Sequence, residues 1–314
     1  MSKLNGGTSG ILSTSNNNHN ISSNGHTISH NQSGPRKFRK INLDLILAST
    51  TLTRSSKEPH EAYLARVTHL HLQNKRIRKI EGLELCTNLK VLYLYDNQID
   101  AIQNLDFANI LQYLYLQNNH IKEIPLLRMP YLRKLYLDEN EIKTINNLQE
   151  CVNLEELHLA KQRIPSFSTL EFSMDSLQAI SRTLHVLEIS GNNISRLRPF
   201  TVLYNLRKLI CKDNSVIEFT EVEAIVQLSQ LEEANFSGNP CCTLFKYRDM
   251  TIGVANNYFS ILDDIPIPSH QRVAVKGLMN HRKKIGVMSR FQPNQSSTSY
   301  EPRELEGEGS FLEG

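Results

Sequence analysis

Residues 89–99, LKVLYLYDNQI, constrain this chain more than any other stretch, because the same unit returns along the sequence. Leu89, Leu92, Leu94, Asn97 and Ile99 stand at the spacing L-x-x-L-x-L-x-x-N-x-I. The alternation around Leu92 and Leu94 describes a short strand, with both leucines turned inward and Val91, Tyr93 and Tyr95 turned outward. Asn97 then places a side-chain amide where it can bond the backbone of the turn leaving the strand. A unit this small cannot bury its leucines alone, so the pattern has a physical sense only as a stack.

Aligned on their first apolar residue, the copies start at Val67, Leu89, Leu111, Leu132, Leu154, Leu184, Leu206 and Leu231, with steps of 22, 22, 21, 22, 30, 22 and 25 residues. The asparagine position reads Lys75, Asn97, Asn119, Asn140, Gln162, Asn192, Asn214 and Asn239, which marks an atypical first copy and an irregular fifth. Spacing and period are the leucine-rich-repeat signature, for which ~20–29 residues is usual. Beyond each asparagine, apolar residues recur at every third position, as in Ile77, Ile80, Leu83 and Cys86. That period suits a tight, largely non-α convex side. The expected fold is therefore an α/β leucine-rich-repeat solenoid of about eight repeats, with a parallel β-sheet on the concave face and a cap at each end.

Composition excludes several function classes. A net charge of +3 over 314 residues is too weak to argue for nucleic acid. No apolar run approaches the ~18 residues of a membrane span. Five cysteines, an odd number, make no disulfide framework. Cys86, Cys151 and Cys211 fall in inward slots and read as small core residues in a reducing compartment. Cys241 and Cys242 are adjacent, and no second pair completes a zinc site.

Along the chain, residues 1–40 read as a disordered Ser/Asn-rich tail ending in the basic run PRKFRK. His19, His26 and His30 are polar filler there. Residues 41–66 are an N-terminal cap, with 41–52 packed on the first repeat and Ser55 and Glu58 forming a capping box for a helix over 61–66. Repeats fill 67–240, with an insertion at 165–183 that carries helical spacing at Leu177, Ile180 and Leu184. Residues 241–270 abandon the repeat and form a C-terminal cap. Residues 271–314 are a basic segment followed by a flexible tail, in which five Glu face the single Arg303 after residue 291.

The stack fixes which residues line the concave face. Strand-centre positions read His71, Tyr93, Tyr115, Tyr136, His158, Glu188, Ile210 and Asn235. With strands ~4.8 Å apart, Tyr93, Tyr115 and Tyr136 form an aromatic ladder flanked by His71 and His158. Beside it run Lys134 and Glu156, and Asp138 lies further along its strand. Exposed tyrosines among mixed charges are favoured in protein-binding surfaces, although such a ladder also stabilises a sheet by cross-strand stacking. Catalysis finds no support: there is no phosphate loop, nucleophile elbow or H-E-x-x-H. His69 and His71 share a face, but His158 is ~19 Å away by strand spacing, so no metal site closes. A non-catalytic binding module without cofactors is expected.

The array resembles the leucine-rich-repeat regulatory subunits of protein phosphatase 1. The likeness rests on INLDLIL at 41–47, VLYLYDNQI at 91–99, YLYLQNNHI at 113–121, QRIP at 162–165 with Leu170, Phe172 and Leu177, LEISGNNI at 187–194, GNP at 238–240 and KYRD at 246–249. Tyr247, Arg248, Ile252, Tyr258, Phe259, Leu262 and Asp263 resemble the cap of cytosolic leucine-rich-repeat families, in which the Tyr–Arg pair packs on the last repeat and the Leu–Asp pair closes the end. The resemblance implies a non-catalytic subunit that binds the phosphatase catalytic subunit through its concave face, in the cytoplasm at centrosomes, basal bodies or microtubules. It assigns the contact to Tyr93, Tyr115, Tyr136, Asp138, Glu156, His158 and Glu188. The alternative is a structural adaptor of the cilium or centrosome that grips tubulin or dynein subunits without the phosphatase. Neither reading involves nucleic acid or membrane.

Overall fold

In the computed structural model, residues 37–284 are described; the expectations for the terminal tails, including His19, His26 and His30, lie outside them. Two short helices, α1 (Leu43–Leu47) and α2 (His60–Ala65), precede the strands. The repeats then supply β1 (His69–His71), β2 (Val91–Tyr93), β3 (Tyr113–Tyr115), β4 (Lys134–Tyr136), β5 (Thr144–Ile145), β6 (Glu156–His158) and β7 (Glu171–Phe172). After them come α3 (Met174–Ile180), β8 (Val186–Glu188), β9 (Lys208–Ile210), α4 (Phe219–Val226) and β10 (Glu233–Asn235). The chain closes with α5 (Tyr247–Val254), β11 (Ile261–Leu262), β12 (Ile265–Pro266) and α6 (Ser269–Lys284). One ten-stranded sheet runs β1-β2-β3-β4-β6-β8-β9-β10-β11-β12, parallel throughout except for the last pair. Its register aligns Leu70, Leu92, Leu114, Leu135, Leu157, Leu187 and Leu209, all fully buried.

The repeat asparagines act between repeats as well as within them. Asn119 is fully buried; its Oδ1 accepts from Ile99 N–H at 2.9 Å, and its Nδ2 donates to the carbonyls of Leu94 and Leu116 at 3.0 Å each. Gln162, which the pattern marks as irregular, makes the same set: its Oε1 accepts from Ile142 N–H, and its Nε2 donates to the Leu137 and Leu159 carbonyls. The residue before each ladder position, Asn74, Asp96, Asn118, Glu139, Lys161, Gly191, Asp213 and Gly238, has positive φ in all eight repeats. Six of the eight are Asn, Asp or Gly, the residues that tolerate the left-handed region.

The insertion builds α3, capped by Ser173 Oγ, which accepts from Ser176 N–H, and adds β7 beside β5 in a separate two-stranded sheet. α4 answers the 25-residue step and buries Val222, Ile225 and Val226, which the three-residue period does not announce.

At the N-terminal end, Asn42 caps α1 through Leu45 N–H, and Ile41, Leu45 and Ile46 are buried. The Ser49 carbonyl accepts from His71 N–H at 2.8 Å and so occupies the open edge of β1. The expected capping box is corrected. α2 begins after Pro59 with no side-chain cap, and Ser55 and Glu58 instead close a tight turn before it, with Glu58 N–H on the Ser55 carbonyl. At the C-terminal end, Asp263 and Asp264, at φ +54° and +61°, form the two-residue turn between β11 and β12. Asp263 accepts from Phe236 N–H at 2.7 Å, and Arg248 donates to the Leu262 and Pro266 carbonyls. Tyr247, Ile252, Phe259 and Leu262 are buried, whereas Tyr258 is 71% exposed.

Candidate functional site

Because the strands are in register, the strand-centre side chains fall into one column on the concave face. His71, Tyr93, Tyr115, Tyr136 and His158 stack face to face with centroid separations of 4.6, 4.7, 4.8 and 4.0 Å and interplanar angles of 9–26°. The two histidines are thus the end rings of a five-membered stack, not merely its neighbours. All five rings are half-buried. Their faces are used up against one another, so the ring edges and hydroxyls turn to solvent. Tyr95 meets Tyr93 edge-on at 6.5 Å. Val91, expected outward and open, is on this face but 4% exposed, and Asn235 is likewise buried at 4%.

Charge on the face is largely internally satisfied. Glu156 accepts from Lys134 Nζ and from Tyr136 Oη, each at 2.9 Å, and lies 3.7 Å from His158 Nε2. Burial pushes the Glu156 carboxyl up, but those two bonds outweigh it and hold the group below its ordinary range. Burial lowers His158, against the pull of Glu156, so its ring is neutral at pH 7. Burial also raises the phenols of Tyr115 and Tyr136, the latter further through its bond to Glu156.

Beyond the stack the sheet opens into a groove of about 600 Å³ lined by Asp138, Glu188, Ser190, Lys208, Lys212 and Asp264, among others. Burial raises Asp138 to about 6, although its Oδ1 accepts from Ala160 N–H at 2.7 Å. Burial likewise raises Glu188, which lies beside His158 in register and accepts from Ser190 N–H. Lys208 pairs with Glu233 and Lys212 with Asp264, each at 2.8 Å.

The structure therefore brings Tyr93, Tyr115, Tyr136 and His158 into one stack with Glu156 bonded to it, while Asp138 and Glu188 belong to the adjoining groove. Lys208, Lys212 and Asp264 also line the groove; the repeat frame sets Lys208 in the column beside the ladder, and none of the three was assigned to the contact. The first two were legible from the frame, while Asp264 arrives only because the cap extends the sheet. Among the described residues no group of three or more His, Cys, Asp or Glu could hold a metal ion, and no helix is long and apolar enough to cross a membrane.

Comparison with known proteins follows the same geometry. The family model for leucine-rich repeats (two copies) matches residues 65–107 and 111–150. The fold is a leucine-rich-repeat solenoid. The chain is 25% identical over 172 residues to a probable U2 small nuclear ribonucleoprotein A′ of Caenorhabditis elegans, covering 49% of this chain and 67% of that protein. Among solved structures it resembles internalin C2 of Listeria monocytogenes with a TM-score of 0.51 and 22% identity, over 65% of this chain and 88% of that one. That likeness bears on the fold alone. Leucine-rich-repeat proteins are in general non-catalytic scaffolds for protein–protein interaction, and the family and sequence matches support that reading of the chain.

Proposed function

We propose that this protein is a non-catalytic regulatory or targeting subunit that grips the catalytic subunit of protein phosphatase 1 with its concave face, at the centrosome, basal body or microtubules. The observation that carries the binding surface is the stack of five half-buried rings, His71 to His158, on the open side of the sheet. Rings packed on one another are rigid, so a partner that covers their edges gains contact area with little ordering cost. The partner and the address rest on the family resemblance, which covers about residues 41–265.

The test is a pull-down of purified phosphatase catalytic subunit by the full chain, comparing wild type with Tyr93→Ala/Tyr115→Ala/Tyr136→Ala, with circular dichroism confirming that both are folded. Binding by wild type and its loss in the variant is the expected result. Failure of the folded wild type to bind sinks the phosphatase reading. A second reading, a protein subunit of a ribonucleoprotein particle, is favoured by the likeness to the nematode ribonucleoprotein A′. It predicts that the folded chain co-purifies with small nuclear RNA in place of the phosphatase.

A further inference from the structure

Two basic runs lie far apart in the sequence: Arg39 and Lys40, and Lys75, Arg76, Arg78 and Lys79. The fold joins them. Arg39 forms a parallel β-bridge with Ile77, and its N–H donates to the Arg76 carbonyl at 3.0 Å. The segment then runs tightly past the turn, since a Cβ on Gly82 would stand 2.9 Å from the Ile41 carbonyl oxygen. Arg76 itself has φ +58°, a strained conformation for a residue with a side chain. Asn193, its counterpart in the sixth repeat, shares that conformation, whereas Gln98, His120, Glu141 and Arg163 in the four repeats that follow do not. The first repeat is thus shaped differently from the four that follow it at the point where it receives the basic segment.

Arg39, Lys40, Arg76, Arg78 and Lys79 are exposed and Lys75 is half-buried. The Arg78 guanidinium lies 5.1 Å over the half-exposed Phe38 ring. Among the described residues, Arg78 alone of the six cations makes an ion pair, with Asp100 at 3.1 Å. Of the carboxylates on the following turn, Glu81 and Glu84, the second is turned onto Gly82 N–H.

We propose that this edge of the first repeat is a docking strip for an extended acidic peptide, separate from the concave face. Five cations without a counter-ion among the described residues, on one short strip, recognise a polyanion. Arg39 also brings a β-bridge to this edge, so a peptide strand laid beside it can extend the pairing with alternating N–H and C=O groups, an array that a nucleic acid lacks. Nor does the chain have the domain-wide basic field of nucleic-acid binders, with a pI near 8.5.

The experiment is fluorescence anisotropy of a labelled oligoglutamate peptide titrated with the full chain. Oligoglutamine serves as the neutral control and oligothymidylate of equal charge as competitor. Each exposed charge contact is worth a few-fold in affinity. Arg39→Gln/Arg76→Gln/Lys79→Gln is therefore expected to weaken binding about tenfold. Arg128→Gln/Arg182→Gln/Arg196→Gln, on exposed residues elsewhere, leaves it unchanged. Lys79→Glu, which leaves the Arg39 bridge untouched, must weaken binding in the same direction, and added salt must weaken the wild-type complex. The proposal is overturned if the folded wild type does not bind oligoglutamate, or if the strip variants bind as well as wild type. It also falls if oligothymidylate displaces the peptide at equal or lower concentration.

Discussion

Asn119→Ala tests how the repeats are locked together, and its cost can be worked out bond by bond. The side chain satisfies Ile99 N–H, and no other acceptor is offered to that donor. Its carbonyl acceptors are different, because each has a second donor: Leu94 also accepts from Asn97 Nδ2, Leu116 from Asn140 Nδ2, and the more distant Gln117 from Asp96 N–H. Removing Asn119 alone therefore orphans one buried N–H, at about 1–3 kcal/mol, and thins three shared acceptors at a fraction of that. The single variant should lose about 2–4 kcal/mol.

Asn140→Ala should cost a similar amount, but the pair together strips the Leu116 carbonyl of both donors. The double variant is then expected to be worse than the sum of the singles by about 1–3 kcal/mol, the desolvation cost of one buried acceptor left unmade. Urea unfolding followed by circular dichroism measures all four corners of the cycle, with a fixed concentration of a stabilising osmolyte keeping the double variant folded at the start. Asn119→Ala/Asn192→Ala is the control, since those two share no acceptor. If Asn119 and Asn140 prove additive within about 0.5 kcal/mol, the shared-acceptor account of the ladder is wrong.

Other perturbations follow from the same geometry. Asp138, raised by burial to about 6, keeps a proton in the folded state that the unfolded chain releases above its ordinary value of 3.8. Its contribution therefore favours folding at low pH and is lost as pH climbs through about 6. Asp138→Asn should remove that loss, gaining about 2 kcal/mol on wild type at pH 7.5 relative to pH 4 in paired urea titrations. Tyr115→Ala breaks stacks at 4.7 and 4.8 Å and should cost about 1–3 kcal/mol, whereas Tyr115→Phe, which keeps the ring, should cost under about 0.5 in the same assay. Gly238, at φ +79°, would set a Cβ against Asp213 Oδ1, so Gly238→Ala should lower the melting temperature. Gly277→Ala, inside α6 with open space at its Cβ, should raise it by the equivalent of about 0.5–1 kcal/mol.

The frame of the solenoid was legible because burying two leucines per strand fixes the period, and the period fixes the register. Once the register is known, the column from His71 to His158 follows without further information. What the sequence did not disclose depends on choices that the period leaves free. Gln162 breaks the asparagine pattern as a letter and preserves it as chemistry, since one more methylene still reaches the same carbonyls. The hairpin at Asp263 and Asp264 has no glycine to announce two positive φ angles, and α4 sits in a step only slightly longer than its neighbours. The exposure of Tyr258, set against the burial of Tyr247, comes from cap packing that no repeat dictates.

The same distinction decides what the concave face can recognise. From the sequence, Glu156 and Asp138 are equivalent acidic positions, but in the fold they are not. Glu156 is engaged with Lys134 and Tyr136, and a partner that competes for it must break two 2.9 Å bonds. Asp138 and Glu188 carry backbone N–H bonds but no ion pair among the described residues, and burial disfavours the charge of both. A cationic group from a partner would lower both carboxyls toward ionisation and gain from doing so. The Tyr93 and Tyr115 hydroxyls donate no hydrogen bond within the described residues, so they too remain available. The binding energy of this face should therefore concentrate on two tyrosine edges and two half-buried carboxylates, with Glu156 and Lys134 serving to hold Tyr136 in the stack.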